Sequence, residues 1–127
     1  MNILPLIEAL IAVESGGNTA AVGDHGHSVG ILQIQQQVIT DINRVYKTQY
    51  RWPVDAQDPQ ASRDICNLYL SYWGLHFQAY KGRQATYQEL ARIWNGGPTG
   101  WRKTATEPYW AKVRNALAKI APEIAVT

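Results

Sequence analysis

Apolar residues recur at spacings of three and four through the first stretch of the chain: Leu4, Ile7, Leu10, Ile11 and then Glu14. This period predicts one face of a helix from about Ile3 to Glu14. The stripe ends on a carboxylate set among apolar neighbours, and burial disfavours the charged form of such a group, so the Glu14 pKa is expected to rise. Ser15-Gly16-Gly17-Asn18 supplies the helix stop. Residues 15–30 are rich in Gly, Ser, Asn and Asp, and the glycines beside Asp24 predict a small β-hairpin around Gly23 to Gly26. Helical periodicity returns from Gln35 to Tyr46, with Val38, Ile42 and Val45 inward. Tyr50 to Asp55 reads as a connection. Asp58-Pro59 gives a cap and a first-turn proline for a helix running to about Tyr80, which carries Ile65, Leu68, Tyr69, Tyr72, Leu75 and His76. Thr86-Tyr87-Gln88-Glu89 is a capping box opening another helix, and Asn95-Gly96-Gly97-Pro98 stops it. A last helix is predicted from roughly Glu107 to Ala121, with Pro108 in its first turn and Pro122 beyond. No repeat, low-complexity run or linker interrupts the pattern, and 127 residues suit one domain.

Composition changes this picture in three places. Five Trp and seven Tyr accompany a single Phe; their flat apolar faces with polar handles suit sugar or interface binding as well as core filling. The net charge is only +2, but between Lys81 and Lys119 eight basic residues, Lys81, Arg83, Arg92, Arg102, Lys103, Lys112, Arg114 and Lys119, are set against two acids, Glu89 and Glu107. Such a segment meets an anionic polymer or forms a solvated helix face. Without a clustered basic-aromatic motif it does not predict a nucleic-acid reader. Cys66 is the one cysteine, which excludes an intrachain disulfide and a Cys-rich metal site. Its helix-like surroundings predict a small core residue. The apolar start is too short to span a membrane and lacks a basic lead. It also runs straight into Glu14, so the expectation is a protein made in the cytoplasm without a removable signal peptide.

The candidate chemistry lies in Glu14 and Asp24. Enzymes that break glycosidic bonds commonly use two carboxylates in unlike environments. Glu14, at a helix end among apolar residues, is placed to stay protonated and donate; Asp24, in a Gly-rich loop, is placed to stay ionised. The plainer alternatives, which the pattern favours less, are a turn residue for Asp24 and a helix-end carboxylate bonded to the following amides for Glu14. His25 and His27 lack a clear third ligand and read as polar loop residues, so no metal is called for. Ser15 and Ser28 have no evident His/Asp relay, which sets aside serine nucleophile chemistry.

These residues carry a resemblance. Glu14-Ser15-Gly16-Gly17 is similar to the helix end of goose-type lysozymes and soluble lytic transglycosylases. The segment from Gly23-Asp24-His25-Gly26 through Gly30-Ile31-Leu32-Gln33-Ile34 resembles the goose-type "G-D-x-G-x-x-x-G-L-M-Q-V". Ala91-Arg92-Ile93-Trp94-Asn95-Gly96-Gly97-Pro98-Thr99-Gly100, followed by Thr106-Glu107-Pro108-Tyr109-Trp110, resembles the "A-R-x-H-N-G-G-P-x-G" and "T-x-x-Y-W" blocks of invertebrate-type lysozymes. The resemblance to this lysozyme-like superfamily implies that Glu14 is the general acid and that Asp24 assists hydrolysis. It also implies that Gln33 lines the cleft, that Trp94-Asn95 lies near the catalytic glutamate, and that Tyr109 matches the tyrosine of the final helix. Trp94 stands where the family has Tyr or His, and the disulfides of the invertebrate type are absent. Ser28 and Trp101 are further candidate substrate contacts, Trp101 by stacking on a sugar face.

The expected fold is mainly α, an α+β lysozyme-like helical bundle with a small β-hairpin lining a substrate cleft. The expected activity is that of a muramidase hydrolysing the β-1,4 bond between N-acetylmuramic acid and N-acetylglucosamine, without a cofactor, in bacterial cell-wall lysis of the phage endolysin or wall-remodelling kind. The expected partner is the peptidoglycan glycan strand, with Arg102 and Lys103 meeting the anionic wall polymer. Neither nucleic acid nor stable membrane insertion is expected, and the chain is expected to be a monomer. Two rivals remain: a lytic transglycosylase that uses Glu14 alone to form anhydromuropeptides, and a non-catalytic glycan-binding module.

Overall fold

The computed structural model describes residues 1–124. Among the described residues six helices, α1 (Leu4–Glu14), α2 (Gln36–Tyr46), α3 (Val54–Gln57), α4 (Pro59–Lys81), α5 (Tyr87–Gly96) and α6 (Glu107–Ile120), accompany two short strands, β1 (Val22–Gly23) and β2 (Ser28–Val29). Single 3-10 turns occur at Asp24–Gly26, Gly100–Arg102 and Thr104–Thr106. The class is therefore mainly helical with one small antiparallel sheet, as the periodicity predicts. Contacts divide the chain into two compact units, Glu14–Tyr69 and Met1–Val13 with Leu70 onward. The boundaries fall inside α1 and α4.

In the unit Glu14–Tyr69 the chain turns sharply after α1 on Gly16 and Gly17, both at positive φ, a conformation that glycine adopts without steric cost. The Ser15 hydroxyl donates to the Ile31 carbonyl at 2.8 Å and accepts the Gly17 N–H at 3.0 Å, tying the helix end to the hairpin. β1 pairs with β2 through Val22↔Val29 and Gly23↔Ser28, and Val29 also bridges Ile34 on its other side. This small sheet is anchored because Val29, Ile31, Leu32 and Ile34 are all buried. Gly30, at φ +81, sits where a Cβ would run into the Ala56 carbonyl. The Trp52 indole N–H closes the loop by donating to the Ile34 carbonyl at 3.0 Å.

α2 buries Ile39 and Ile42, while Val38 and Val45 are only half-buried, so its inward face is centred one residue from the predicted one. Asp58 caps α4 as expected, its carboxylate accepting the Ala61 N–H at 2.8 Å. α3 was not expected. It forms because the Asp55 carboxylate accepts the Arg51 N–H at 2.6 Å while the Asp55 N–H returns to the Arg51 carbonyl at 2.8 Å, a local closure within what reads as a plain connection. Cys66 has no accessible surface, in keeping with a core role.

In the other unit α1 buries Leu6, Ile7, Ala9, Leu10 and Ile11, whereas Leu4 is 61% exposed. The apolar stripe thus begins later than its spacing implies. α5 opens on the predicted capping box: Thr86 Oγ1 accepts the Glu89 N–H and Glu89 Oε1 accepts the Thr86 N–H. Arg83 adds a two-pronged pair to Glu89 at 2.9 and 2.7 Å. Burial pushes the Glu89 carboxyl up, but the Arg83 guanidinium and the Thr86 N–H and hydroxyl outweigh it and hold it below the usual range. The return from α5 to α6 is fastened by Arg92, whose Nε donates to the buried Thr106 hydroxyl at 2.8 Å and whose Nη2 donates to the Lys103 carbonyl at 2.8 Å. Among the described residues no helix is long and apolar enough to cross a membrane.

Candidate active site

Glu14 is the last residue of α1 and is half-buried. Its charge reaches the buried Cys66 thiol: burial pushes that thiol well above its ordinary value, and Glu14 pushes it further.

Asp24 opens the 3-10 turn between the strands. It and His25 have left-handed backbones, φ +50 and +56, a conformation costing about 1–2 kcal/mol for a residue with a Cβ and tolerated best by Asp and Asn. The His27 N–H returns to the Asp24 carbonyl at 3.1 Å and His27 Nδ1 lies 2.8 Å from the same oxygen. This turn leaves the Asp24 side chain exposed but not loose. Its Oδ2 accepts the Ser28 hydroxyl at 2.6 Å and the Gln35 amide at 3.4 Å. The Ser28 bond, then the Gln35 bond, outweigh slight burial and hold the Asp24 carboxyl below the usual range, with His25 and His27 adding to the effect. Asp24 is thus an ionised, oriented carboxylate open to water.

Ser28 is buried. Its hydroxyl proton is engaged by Asp24, and its oxygen lies 3.4 Å from the Gln35 amide nitrogen. Gln33, also at positive φ, donates its amide to the Ala21 and Gly30 carbonyls at 3.1 and 3.0 Å, and its Oε1 lies across the face of Gly23. Ser28 therefore holds the carboxylate directly, while Gln33 braces the hairpin backbone. Gln35 belongs to the same network and escaped the sequence reading, because Gln35-Gln36-Gln37 looks like an undifferentiated polar helix start. His25 and His27 are exposed, and among the described residues no three His, Cys, Asp or Glu side chains gather as a metal site.

Glu14, Asp24, Ser28 and Gln33 belong to the unit Glu14–Tyr69; Trp94, Asn95, Trp101 and Tyr109 belong to the other. Trp94 and Asn95 occupy the last turn of α5, Trp94 half-buried and Asn95 exposed, and Tyr109 is half-buried in the first turn of α6. Trp101 lies edge-on to Phe77, with ring centroids 5.1 Å apart, and near Tyr80 at 6.1 Å. Arg102 stands over the Trp101 ring at 5.5 Å. Lys103 instead turns its ammonium to the Gly96 carbonyl at 2.7 Å, an interaction that suits the negative end of α5.

The fold is lysozyme-like. A superposition on the crystal structure of Tapes japonica lysozyme gives a TM-score of 0.72 at 24% identity over 87% of each chain. One on the crystal structure of Aeromonas hydrophila PliI in complex with Meretrix lusoria lysozyme gives 0.68 at 23% identity over 88% of each chain. The chain belongs to the transglycosylase SLT domain family, whose model matches residues 2–116. No curated protein sequence matches it.

Proposed function

We propose that this chain is a single catalytic domain that cleaves the β-1,4 bond between N-acetylmuramic acid and N-acetylglucosamine in peptidoglycan by hydrolysis, in lysis or remodelling of the bacterial cell wall. Glu14 donates its proton to the glycosidic oxygen. Positive charge then builds on the sugar ring in an oxocarbenium-like transition state, and Asp24 stabilises that charge or activates the incoming water. The observation that carries this reading is the Asp24 carboxylate, held ionised by the Ser28 hydroxyl and facing solvent. Family membership supports the substrate class. Trp94, Asn95 and Tyr109 are proposed as substrate contacts.

Family membership also favours a second reading, a lytic transglycosylase. There Glu14 serves as both acid and base, and the muramyl 6-hydroxyl closes an anhydro ring in place of water. Mass spectrometry of digested peptidoglycan separates the two. Hydrolysis predicts reducing-end muropeptides that fall about 10²–10⁴-fold with Glu14→Gln, the usual worth of a general acid, and that also fall with Asp24→Asn. Anhydromuropeptides that survive Asp24→Asn overturn the hydrolytic reading in favour of the second. Absence of any product from the parent protein overturns both.

A further inference from the structure

The last two turns of α4 present Trp73, His76, Phe77 and Tyr80 at spacings of three and four, which puts them on one helix face. Trp73 and His76 have ring centroids 5.1 Å apart. Phe77 is buried beneath the edge of Trp101, while Tyr80 remains 70% exposed. With Pro98 and Trp101 from the segment after α5, these rings enclose a groove of about 250 Å³. Lys81 Nζ and the Arg102 guanidinium stand 5.4 and 5.5 Å from the Trp101 ring. Among the described residues neither is paired with a carboxylate.

An aromatic lining with few polar groups selects flat, apolar faces. Fixed cations at its rim select an anion, and arginine in particular grips a carboxylate with two parallel N–H groups. The ligand must therefore join a flat C–H face to a carboxylate. We infer that this groove binds the peptide-bearing sugar of a peptidoglycan strand, with the pyranose against Tyr80 and Trp101 and the carboxylate of its stem peptide on Arg102 and Lys81. The choice of polymer rests on the proposed function; the groove itself contains neither Glu14 nor Asp24 and serves to hold the strand.

Cosedimentation with purified sacculi tests this, using Glu14→Gln protein to prevent digestion and sacculi whose stem-peptide carboxylates are free or converted to amides with carbodiimide and ammonia. Tyr80→Ala and the double variant Lys81→Ser/Arg102→Ser should each raise the apparent Kd about tenfold on untreated sacculi, a loss that a stacked ring or a charged contact supplies. Amidating the carboxylates should weaken the parent to the level of the double variant and leave that variant unchanged. All three residues are exposed, so unchanged circular dichroism and melting temperature are expected, and Tyr80→Phe should retain binding. Variants that bind untreated sacculi like the parent, or a parent indifferent to amidation of the carboxylates, overturn the inference. Muropeptide analysis of protein with Glu14 intact keeps the two readings apart. Tyr80-dependent binding without cleavage products would overturn the proposed function and leave the groove standing. Cleavage products with unaltered variant binding would do the reverse.

Discussion

Residues 15–35 and residues 97–106 both follow a helix and carry glycine at or next to their start, yet they are built in opposite ways. The first places three residues with a Cβ, Asp24, His25 and Gln33, in the left-handed region; the second places only Gly97 there. In the first, Ser28 and Gln35 point to a carboxylate, and that carboxylate faces water. In the second, Arg92, Lys103 and Thr106 all turn to backbone carbonyls or to one another. One segment holds strain and presents a charge; the other is relaxed, satisfies its own polar groups and fixes the position of Trp101. Backbone strain of this kind persists where surrounding structure enforces it, and it concentrates at working sites.

The difference can be broken first at the two glycines that meet a carbonyl. A Cβ on Gly30 would strike the Ala56 carbonyl and one on Gly100 the Arg92 carbonyl, but only Gly30 is also left-handed. Gly30→Ala should therefore cost on the order of 3–5 kcal/mol and Gly100→Ala about 1 kcal/mol less, as read from urea unfolding midpoints. Equal losses would mean that the left-handed backbone of Gly30 adds nothing. Next, Thr106→Val removes the buried hydroxyl that accepts from Arg92 and donates to Gly100 or Lys103, and should destabilise by about 2 kcal/mol, with muropeptide chemistry unchanged in kind.

Ser28→Ala sharpens the contrast through titration rather than stability. The Ser28 bond favours the charged form of Asp24, so its removal should raise the Asp24 pKa toward the ordinary carboxylate value. The stabilisation from a depressed carboxylate is present above its unfolded-state pKa and is lost as pH falls through the folded one. The parent's advantage should therefore vanish at the acid end, and any acid limb of activity governed by Asp24 should move to higher pH. A carboxyl-carbon NMR titration reads this directly, and an unmoved Asp24 resonance would remove Ser28 from its role. The smallest effect is expected at His25, exposed and left-handed. His25→Gly should gain roughly 0.5 kcal/mol, the relief of backbone strain less the extra freedom of an unfolded glycine. A loss would assign the His25 side chain a structural task.

The helix ends and the hairpin were legible because their causes are local. Asp58-Pro59, Thr86 with Glu89, and the glycine pairs at residues 16–17 and 96–97 each act within a few residues. Glu14 and Asp24 stood out because chemistry and position coincided. What stayed hidden depends on distant partners. Gln33 is committed to two carbonyls only once the hairpin has formed, and Lys103 finds the Gly96 carbonyl only after the chain returns across α5. Ser28 is buried by its surroundings and not by its own character. Tyr80 and Lys81 were visible as an aromatic and a cation at the end of α4, but nothing before Trp101 in sequence declared what they would face.

The burial of Cys66 has a use at the bench. Thiol reagents attack the thiolate, and here both solvent and ionisation are withheld, so a maleimide can react only during excursions that open the segment Glu14–Tyr69. Because the chain holds one cysteine, the labelling rate counts those excursions at a single known address. It gives a clock for how often the surroundings of Cys66 open.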